Sequence, residues 1–518
     1  MTERTQPASH AGTTATRNHL LRVLGPVSAT AVVVGSVIGS GIFFKANIVA
    51  GSVGRFDLVL LVWVACGILS LLGALATAEL GAMMPHAGGQ YVYLREAYGP
   101  LSAFLWGWAE FWMMRAGSVA ALAVAFSQAF FRSAGLWLQE MQWIQITTVQ
   151  DVDFIRLPDG TAVTVVWAMR GIAVAAIVIL TMVNYAGTRW GGMLQNITTV
   201  AKISTLAVLM ILPFLTMTAD ASLLASTAER AAGTGLLAGM AAAMTAVFWA
   251  YDGWGNIGPV AEEIRDPQRN IPLALGAGML LVILLYVGVT VSYHLLMPAA
   301  VIAKSSFVAA SACEITLGKF GSAIASAAVM VSTFGALNAN LLTGPRVIFA
   351  MARDGVFFSM LARVHSRFRT PHIAILALST WAVLLIVGSD LLRGITVPQW
   401  ISSLPKAIGE PLTQSLQNMS GKAIYDVLTD YVVFGAFVFY LLSVVAVFVL
   451  RIRQPDLPRP YRTIGYPLLP ALFVLGSTGF LLGMLVTSPV ESILGLGFIA
   501  TGAAIYGLLR PLMHRGNR

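Results

Sequence analysis

Long apolar runs separated by short polar segments recur along the whole chain. A window of about 19 residues, the length that crosses a bilayer as a helix, divides these runs into twelve predicted membrane spans. Hydrophobic positions within the runs do not alternate with polar ones, as they would in a membrane barrel, so the spans are predicted to be helices. Numbered in chain order, spans 1 to 12 lie near residues 26–53, 57–84, 99–131, 163–186, 192–217, 236–262, 272–297, 320–352, 371–389, 425–450, 466–488 and 490–510.

Three stretches outside the spans are longer than the other connections. Residues 1–25 are polar and show no signal-peptide cleavage site, which predicts a disordered cytoplasmic tail. Residues 132–162 carry four acidic residues. Residues 390–424 mix Pro, Ser and Gln with apolar residues and are predicted to contain a helix at the membrane interface. Neither 132–162 nor 390–424 is predicted to be a separate domain.

The composition agrees with this pattern. Of the 518 residues, 57% are hydrophobic and 11% are charged, whereas soluble proteins carry roughly 25% charged residues. The chain is therefore predicted to be an integral membrane protein. Its formal net charge of +9 comes from Lys and Arg residues scattered among short loops. Membrane topology explains that scatter better than binding to nucleic acid does.

The basic residues also predict an orientation. With the N-terminus inside the cell, the cytoplasmic segments hold about twice as many Lys and Arg residues as the outer segments. Both termini are therefore predicted to be cytoplasmic, in the cell membrane, which in a bacterium is the inner membrane. The two cysteines, Cys66 and Cys313, offer neither a disulfide framework nor a metal-binding spacing. No cofactor and no metal site are predicted.

Two spans contain interruptions that a membrane helix should avoid. Span 1 includes GSVIGSGIFF at 35–44, and span 6 includes FWAYDGWGNIGPVAEEIRDP at 248–267. Each glycine costs about 1 kcal/mol relative to alanine inside a helix. Interrupted spans at corresponding positions are the pattern of a transporter built from repeats. Because five spans per copy is an odd number, residues 26–217 and 236–450 are predicted to form two inverted repeats, followed by 451–518.

Such breaks expose the main chain. An unwound helix leaves N–H groups free at one end and C=O groups free at the other. The N–H end favours a carboxylate, and the C=O end favours an ammonium group. A site with both, lined by small residues that let a ligand approach the backbone, fits the head of an α-amino acid. The alternative is that the glycines only allow tight packing between helices.

Five polar or aromatic residues inside the spans are candidates for function. Arg115 in span 3 must face a cavity or a partner, because a charge facing lipid is costly. Lys202 in span 5 either snorkels to the interface or docks on carbonyls exposed by the break in span 1. Asp252 caps the second half of span 6, binds a substrate amine or carries a coupled proton. Trp249 either covers the ligand or is ordinary packing, and Asn338 in span 8 is a further pocket or coupling candidate. Three charged residues near the cytoplasmic ends could form an inner gate or lie in solvated interface: Glu262, Glu263 and Arg346.

With these residues in hand, the chain resembles the L-type amino acid transporter family of the amino acid–polyamine–organocation superfamily. The resemblance runs across nearly all twelve spans and rests on several motifs together. Besides GSVIGSGIFF, they are PHAGGQYVYLREAYG (85–99), FWAYDGWGNIGPVAEEIRDPQRNIP (248–272), LNANLLTGPRVIFAMARDG (337–355), RTPHIAI (369–375) and RPYRTIGYP (459–467).

The resemblance implies a leucine-transporter-like fold, all-α, with five-plus-five inverted repeats, broken helices 1 and 6, two additional helices and alternating access. It implies that the substrate carboxylate is held by three backbone amides, those of Ser40, Gly41 and Ile42. It implies that the substrate amine is held by three carbonyls, those of Val37, Trp249 and Asp252.

Four single positions gain meaning from the same resemblance. Trp249 matches the aromatic gate of the family. Lys202 matches the lysine that replaces a sodium site in sodium-independent members, which favours exchange or proton coupling over sodium symport. Arg115 falls where some members carry a basic residue followed by Pro, but Ala116 follows here, so a kink is not implied. Asp252 occurs in the family's cystine/dibasic exchanger and in some bacterial serine/threonine exchangers, so it does not fix the charge of the substrate.

The main prediction is sodium-independent exchange of small or medium neutral L-amino acids. The alternatives are a proton-coupled amino acid importer, an exchanger that accepts cationic or polar amino acids, and an amino acid sensor that does not transport. No nucleophile–base pair, metal cluster or phosphate loop indicates an enzyme. The predicted partners are amino acid substrates and the lipid bilayer, with no nucleic acid. A disulfide-linked heavy chain is not expected, because residues 132–162 contain no cysteine. The sequence does not specify the oligomeric state.

Overall fold

The computed structural model describes residues 20–140, 145–149, 152–156, 162–230, 235–388, 413 and 424–515. The tail up to residue 19 and most of 390–424, where an interfacial helix is predicted, lie outside these residues. The prediction of a disordered tail needs correction at its end. Leu24 is buried, and its backbone pairs with the segment that follows span 6, through the carbonyl of Glu263 and the amide of Arg265. The apolar side chain of Leu24 is covered there, which anchors the beginning of span 1.

Ten helices in the described part of the chain are long and apolar enough to cross a membrane, judged by length and composition. Shorter apolar stretches of helix lie at Val308–Leu317, His372–Val387 and Ser492–Leu508. The chain is therefore a multi-pass helical membrane protein. The helices that correspond to spans 1 to 12 are, in order, Pro26–Val37 with Gly41–Phe44 and Ala46–Val53; Phe56–Met83; Pro100–Ala109 with Glu110–Arg115 and Ala116–Glu140; Val165–Tyr185; Thr188–Leu215; Leu236–Tyr251 with Trp254–Glu263; Pro267–Leu296; Lys319–Arg353; His372–Val387; Ile424–Arg453; Leu468–Thr487; and Pro489–Arg515.

Short helices occupy several of the connections. One of them, between spans 2 and 3, follows two glycines with positive φ angles, Gly88 and Gly89. These short elements are Gln90–Tyr98, Ala221–Ala225, Ala299–Lys304, Val308–Leu317 and Ser359–Ala362.

The loop after span 3 adds strands to this helical protein. It forms a three-stranded antiparallel sheet of β1 (Gln145–Val149), β2 (Val152–Arg156) and β3 (Ala162–Thr164). In the register, Gln145 lies opposite Arg156, and Phe154 lies opposite Thr164. The three segments are rich in Val, Ile and Thr, whose branched side chains favour strands. The membrane-spanning part is helical, as predicted, and this loop alone departs from the all-α prediction within the described ranges.

The buried hydrophobic side chains form two main clusters, and the broken spans belong to the larger one. The larger contains residues of spans 1, 2, 6, 7 and 10, and the smaller joins spans 3, 4, 8 and 9. Span 1 packs against spans 5, 7 and 8. Gly278 of span 7 lets span 1 approach closely, because a Cβ there would lie 3.1 Å from a side-chain carbon of Val33. Large apolar side chains such as Met182 and Leu284 are exposed on the outer surface, as expected of residues that face lipid.

Both interruptions predicted from the sequence are present. The first helix of span 1 ends at Val37, and helix resumes at Gly41. The first helix of span 6 ends at Tyr251 and is followed by a 3₁₀-helix that begins at Trp254. Between them Gly253 has φ +112°, and a Cβ on it would lie 3.0 Å from the backbone of span 1 at Ser36. Only glycine fits this position without strain.

Candidate functional site

The two breaks face each other across a small cavity in the middle of the helical bundle. Its volume is about 20 Å³, which is close to the space that a single water molecule needs. Main chain from both broken spans and side chains from spans 3 and 8 form its wall. The lining residues are Ser36, Val37, Gly39, Ser40, Gly41, Ser118, Leu122, Trp249, Asp252, Gly253, Asn256 and Asn340.

The backbones of spans 1 and 6 are in direct contact beside this cavity. A Cβ on Gly41 would lie 2.5 Å from the Cα of Ala250, so no larger residue can replace this glycine without moving a helix. The hydroxyl of Tyr286, from span 7, lies 2.9 Å from the carbonyl oxygen of Val37 and 3.1 Å from that of Ala250, and its one proton is shared between these two acceptors. One side chain therefore ties together the C-terminal ends of both first half-helices. Sequence reasoning missed Tyr286, because nothing in the apolar pattern of span 7 marks it.

The residues predicted to bind the amino acid head lie at the two breaks. Ser40 and Gly41 line the cavity at the beginning of the second half of span 1. At the beginning of a helix, the first N–H groups have no acceptor within that helix. Ile42 is fully buried in the next position and does not line the cavity. The indole Nε1 of Trp249 donates to Ser40 Oγ at 3.3 Å, so this side chain joins the two broken spans.

The carbonyls predicted to accept the substrate amine have different surroundings. Val37 accepts the hydroxyl of Tyr286, and Trp249 accepts the amide of Asp252 at 3.3 Å. A carbonyl oxygen has two lone pairs, so a first hydrogen bond does not exclude a second. The arrangement offers acceptors on one side of the cavity and the beginning of a helix on the other.

Lys202 lies where the break in span 1 exposes carbonyls. Its Nζ donates to the carbonyl oxygens of Gly35 and Ile38, each at 2.7 Å. The side chain is 1% exposed, so the snorkelling alternative does not describe it. On the other side of the break, Ser332 Oγ donates to the carbonyl of Gly39 at 2.8 Å. The unwound segment is thus held by donors from spans 5 and 8.

The side chain of Asp252 bonds a tyrosine hydroxyl and does not cap the helix that follows it. Its Oδ1 accepts a hydrogen bond from the hydroxyl of Tyr440, in span 10, at 2.7 Å. The 3₁₀-helix that follows has Gly253 as its N-cap residue and no side-chain capping bond. The carboxylate of Asp252 therefore belongs to the wall of the cavity, where it faces span 10.

Arg115 forms an ion pair with Glu110, a residue of the same span. Its Nε donates to Glu110 Oε1 at 2.7 Å, and its Nη2 contacts the same carboxylate oxygen. Glu110 and Arg115 are the ends of a π-helical turn. In α-helical spacing, residues five apart do not share a face, but a π turn brings them together. Sequence reasoning missed Glu110 for this reason. A second charged residue of opposite sign in the same span was the one feature that could have pointed to it.

The guanidinium of Arg115 also reaches two asparagines that line the cavity. Nη1 donates to Asn256 Oδ1 at 2.7 Å and to Asn340 Oδ1 at 2.6 Å. These are contacts to spans 6 and 8. Neither asparagine was a candidate from the sequence, although both lie within the motifs that carried the resemblance.

Asn338 does not lie at the cavity, which corrects its assignment as a pocket candidate. Its Nδ2 donates to the carbonyl of Gly191 at 3.0 Å and to Gln195 Oε1 at 2.9 Å, and its Oδ1 accepts from Asn184 Nδ2 at 3.0 Å. These partners belong to spans 4 and 5. Residues two apart on a helix point to nearly opposite sides, so Asn340 faces the cavity and Asn338 does not.

Ion pairs close the bundle at the end where span 1 begins. Arg346 is fully buried, and its Nε lies 2.9 Å from Glu263 Oε1. Arg353 Nη1 lies 3.1 Å from Glu262 Oε2, and this pair is partly exposed. The alternative of solvated interface is therefore wrong for Arg346, which joins span 8 to the end of span 6.

The opposite end of the bundle is more open. A cavity of about 880 Å³ lies there, lined by the second half of span 1 and the beginning of span 6, with Asn47, Ser52 and Gly239 among its residues. Within the described ranges, no group of three or more His, Cys, Asp or Glu side chains could hold a metal ion.

Comparison with known proteins gives a consistent result. The sequence profile of the amino acid permease family, described as "Amino acid permease", matches residues 24–509. The human b(0,+)-type amino acid transporter 1 is 29% identical over 490 residues, covering 94% of this chain and 88% of the relative. The serine/threonine exchanger SteT of Bacillus subtilis is 28% identical over 492 residues, covering 94% and 97%. The mouse large neutral amino acids transporter small subunit 2 is 29% identical over 494 residues, covering 94% and 81%.

These matches confirm the resemblance drawn from the motifs. The family and the relatives are amino acid transporters and exchangers rather than enzymes. The three relatives carry different substrate descriptions in their names, so their common property is the transport of amino acids.

Proposed function

This chain belongs to the amino acid permease family, and from that premise we propose that it is a sodium-independent exchanger of small or medium neutral L-amino acids that works by alternating access. The observation that carries the proposal is the position of Lys202. Its ammonium group bonds the carbonyls of Gly35 and Ile38 at the break in span 1. Exposed carbonyls at such a break are where a transporter of this architecture holds a coupling cation. A fixed ammonium group takes that place and leaves no need for sodium.

In the proposed binding mode, the zwitterionic head of the substrate lies between the two breaks. The amides of Ser40, Gly41 and Ile42 hold its carboxylate, at the positive end of the second half of span 1. The carbonyls of Val37, Trp249 and Asp252 hold its amine. The contact of Trp249 with Ser40, at 3.3 Å, supports a role as a gate that must move when substrate enters.

The architecture that goes with this proposal has twelve membrane helices in a leucine-transporter-like arrangement. Residues 26–217 and 236–450 form the inverted repeats, and 451–518 contribute helices 11 and 12. The two helices His372–Val387 and Pro489–Arg515 serve as spans 9 and 12. Both termini lie in the cytoplasm, and the protein lies in the cell membrane, which in a bacterium is the inner membrane. No disulfide-linked heavy chain takes part.

A second candidate is a proton-coupled amino acid importer. Two carboxylates belong to this region: Glu110 pairs with Arg115, and Asp252 lines the cavity together with Asn256, which Arg115 also bonds. A carboxylate without its own counter-charge in a low-dielectric site can take up a proton. Exchange remains the first proposal, because the relative named as an exchanger covers nearly all of this chain. A sensor that binds substrate without moving it, or an exchanger of cationic or polar amino acids, would use the same two breaks.

The test is a counterflow experiment in sodium-free proteoliposomes. Vesicles that contain the purified protein are loaded with one unlabelled amino acid, and uptake of a panel of labelled amino acids is followed. We expect uptake that depends on internal substrate and not on sodium. Uptake into empty vesicles driven by a pH gradient would favour the proton-coupled importer. Binding of an amino acid without any uptake would favour the sensor and overturn the proposal.

A further inference from the structure

One wall of the central cavity carries an unusual set of polar groups. Ser118 from span 3, Asp252 and Asn256 from span 6, and Asn340 from span 8 line it, with Leu122 as the apolar neighbour. These side chains line the same cavity as the exposed main chain of the two breaks, so a substrate bound there would contact them. The donors and acceptors that they present therefore bear on which side chains can bind.

Arg115 determines how the two asparagines present their amides. A guanidinium can only donate hydrogen bonds, so the atoms of Asn256 and Asn340 that face Arg115 Nη1, at 2.7 Å and 2.6 Å, are oxygens. Glu110 fixes the opposite edge of the guanidinium through Nε and Nη2. Arg115 is 8% exposed, so this orientation is set inside the protein and not by solvent.

The two asparagines differ in what remains for a ligand. Asn340 Nδ2 donates to the carbonyl of Ala336 at 2.9 Å, one turn earlier in span 8. Asn256 Nδ2 has no bonded acceptor within the residues that the structure describes, and Asn256 lines the cavity. Asn256 therefore offers a hydrogen-bond donor to the cavity.

An acceptor lies beside this donor. The carboxylate of Asp252 takes one hydrogen bond from Tyr440, at 2.7 Å. A carboxylate has about four lone-pair sites, so it can accept another from a ligand in the cavity. Asp252 and Asn256 are four residues apart, across the turn at Gly253, and both line the same space.

We propose that Asp252 and Asn256, with Asn256 oriented by Arg115, form a subsite for a short neutral substrate side chain that both donates and accepts a hydrogen bond, such as the hydroxyl of serine or threonine or the amide of asparagine. This inference rests on the proposed function and names the substrate class. Arg115 is a positioning residue in it.

Other side chains match the subsite less well. An aliphatic side chain leaves the donor of Asn256 and the acceptor of Asp252 unpaired in a buried site, which is costly. An ammonium or guanidinium group can bond Asp252 but has no acceptor for Asn256 Nδ2, so it leaves that buried donor unpaired. A carboxylate meets the charge of Asp252. A hydroxyl or carboxamide satisfies both groups.

The first test needs no variant, because threonine and valine have the same shape and differ in a hydroxyl against a methyl group. Proteoliposomes are loaded with alanine, and initial rates of labelled threonine and valine uptake are measured over a range of concentrations. We expect kcat/KM for threonine to exceed that for valine at least about tenfold, since a site built to bond a hydroxyl rejects the analogue that lacks it. Serine against alanine and asparagine against leucine are parallel pairs.

Variants then assign the preference to the subsite. In Asn256→Val we expect the ratio of threonine to valine to fall below about threefold. In Arg115→Lys, the KM for threonine should rise while the KM for valine changes little, because a compact ammonium group cannot replace a planar guanidinium that bonds Glu110 on one edge and both asparagine oxygens on the other. A merely structural defect would change both constants together. Asn196→Val is the matched control. Asn196 is a partly buried asparagine that bonds Ser28 at 3.1 Å and does not line the cavity, so its variant should keep the wild-type ratio.

The outcomes separate this inference from the proposed function. Exchange of threonine and valine at equal efficiency by the wild-type protein would overturn the subsite and leave the exchanger standing. Preferred uptake of lysine or glutamate would also overturn the subsite. No exchange of any amino acid would overturn the proposed function and the inference with it.

Discussion

At Gly41 a single hydrogen atom lies between the main chains of the two broken spans. A Cβ at this position would approach the Cα, Cβ and N atoms of Ala250, the first two at 2.5 Å and the last at 3.1 Å. The main chain of Ala250 cannot move aside to make room for a Cβ, as the end of a flexible side chain could. This contact explains why a span that should be a stable helix contains glycine at this position. Without a side chain, Gly41 allows span 6 to contact the exposed main chain of span 1.

We therefore expect Gly41→Ala to push the two breaks apart and lower exchange at least about tenfold, a loss of more than about 1.4 kcal/mol in transition-state stabilisation. Initial rates of counterflow in proteoliposomes measure the effect. The matched control is Gly171→Ala in span 4, where a Cβ meets no atom within 4 Å. Equal activity of the two variants would contradict the role given to the contact.

Lys202 provides the second prediction for a single residue. In Lys202→Ala the carbonyls of Gly35 and Ile38 lose a charged donor that is 2.7 Å from each. The unwound segment should then lose its fixed conformation, and sodium-free exchange should fall at least about tenfold, since hydrogen bonds to charged groups contribute about 1.5–3 kcal/mol.

The measurement for Lys202→Ala is exchange with and without sodium, at equal protein per vesicle. Lys304→Ala, at an exposed lysine outside the central site, serves as control and should behave as the wild type. Normal sodium-free exchange by the Lys202 variant would show that the ammonium group is dispensable, and the argument against sodium coupling would be lost.

At the scale of elements, two ion pairs near the beginning of span 1 join span 8 to the end of span 6. The pair of Arg346 with Glu263 is almost completely buried, whereas the pair of Arg353 with Glu262 is partly exposed. Removal of one partner from a buried pair leaves an uncompensated charge and costs about 3–5 kcal/mol. An exposed pair contributes about 0.2–1 kcal/mol.

We therefore expect Arg346→Leu to lower the thermal unfolding temperature in detergent much more than Arg353→Leu does. Each variant removes the same charge from the same helix, so the comparison isolates burial. Thermal unfolding followed by intrinsic fluorescence gives the two shifts. Decreases of similar size in the two unfolding temperatures would mean that the buried pair of Arg346 and Glu263 does not stabilise the protein more than the exposed pair does.

The π turn in span 3 is also a property of an element. It places Glu110 and Arg115 on one face although they are five residues apart. Gly344 in span 8 makes room for this arrangement, because a Cβ there would lie 2.5 Å from Arg115 Cγ. The turn thus aligns the guanidinium with the two asparagines of neighbouring spans.

At the scale of the whole molecule, the two ends of the bundle differ: ion pairs join the helices where span 1 begins, and a large cavity lies at the other end. Ser52 lines the cavity of about 880 Å³ at the open end, whereas Ser326 is fully buried in span 8. In Ser52→Cys we expect a membrane-impermeant thiol reagent to react from the face opposite the N-terminus, and substrate to change the rate of reaction. Background labelling is low in this assay because both native cysteines are buried.

Mass spectrometry of protein labelled in sealed vesicles of known orientation provides the measurement. Ser326→Cys is the control and should remain unlabelled. Labelling of Ser52→Cys from the face that carries the N-terminus would show that the two ends have been assigned the wrong way round.

The apolar pattern was sufficient to locate the helices and both interruptions. Most of the long helices lie within a few residues of their predicted spans, because lipid requires long hydrophobic segments with internally paired backbone. The helix of span 3 is the exception, since it continues to Glu140 instead of ending near residue 131. The glycines and Asp252 marked the breaks, since these residue types are unfavourable inside a helix. The three strands Gln145–Val149, Val152–Arg156 and Ala162–Thr164 were missed, because short strands in a loop leave a much weaker signal than a membrane span.

What the sequence by itself determined is therefore the class of protein, the spans, the broken pair and the residues within the breaks, because each depends on the local cost of placing a residue in lipid or in a helix. The partners of those residues were decided only by the tertiary structure. Tyr286 bridges two breaks, Arg115 bonds spans 6 and 8, and Asn340 rather than Asn338 faces the cavity. Most of these contacts join residues more than a hundred positions apart. The choice of Asn340 over Asn338 depends on the rotation of a helix about its axis. Neither property is encoded by hydrophobicity along the chain.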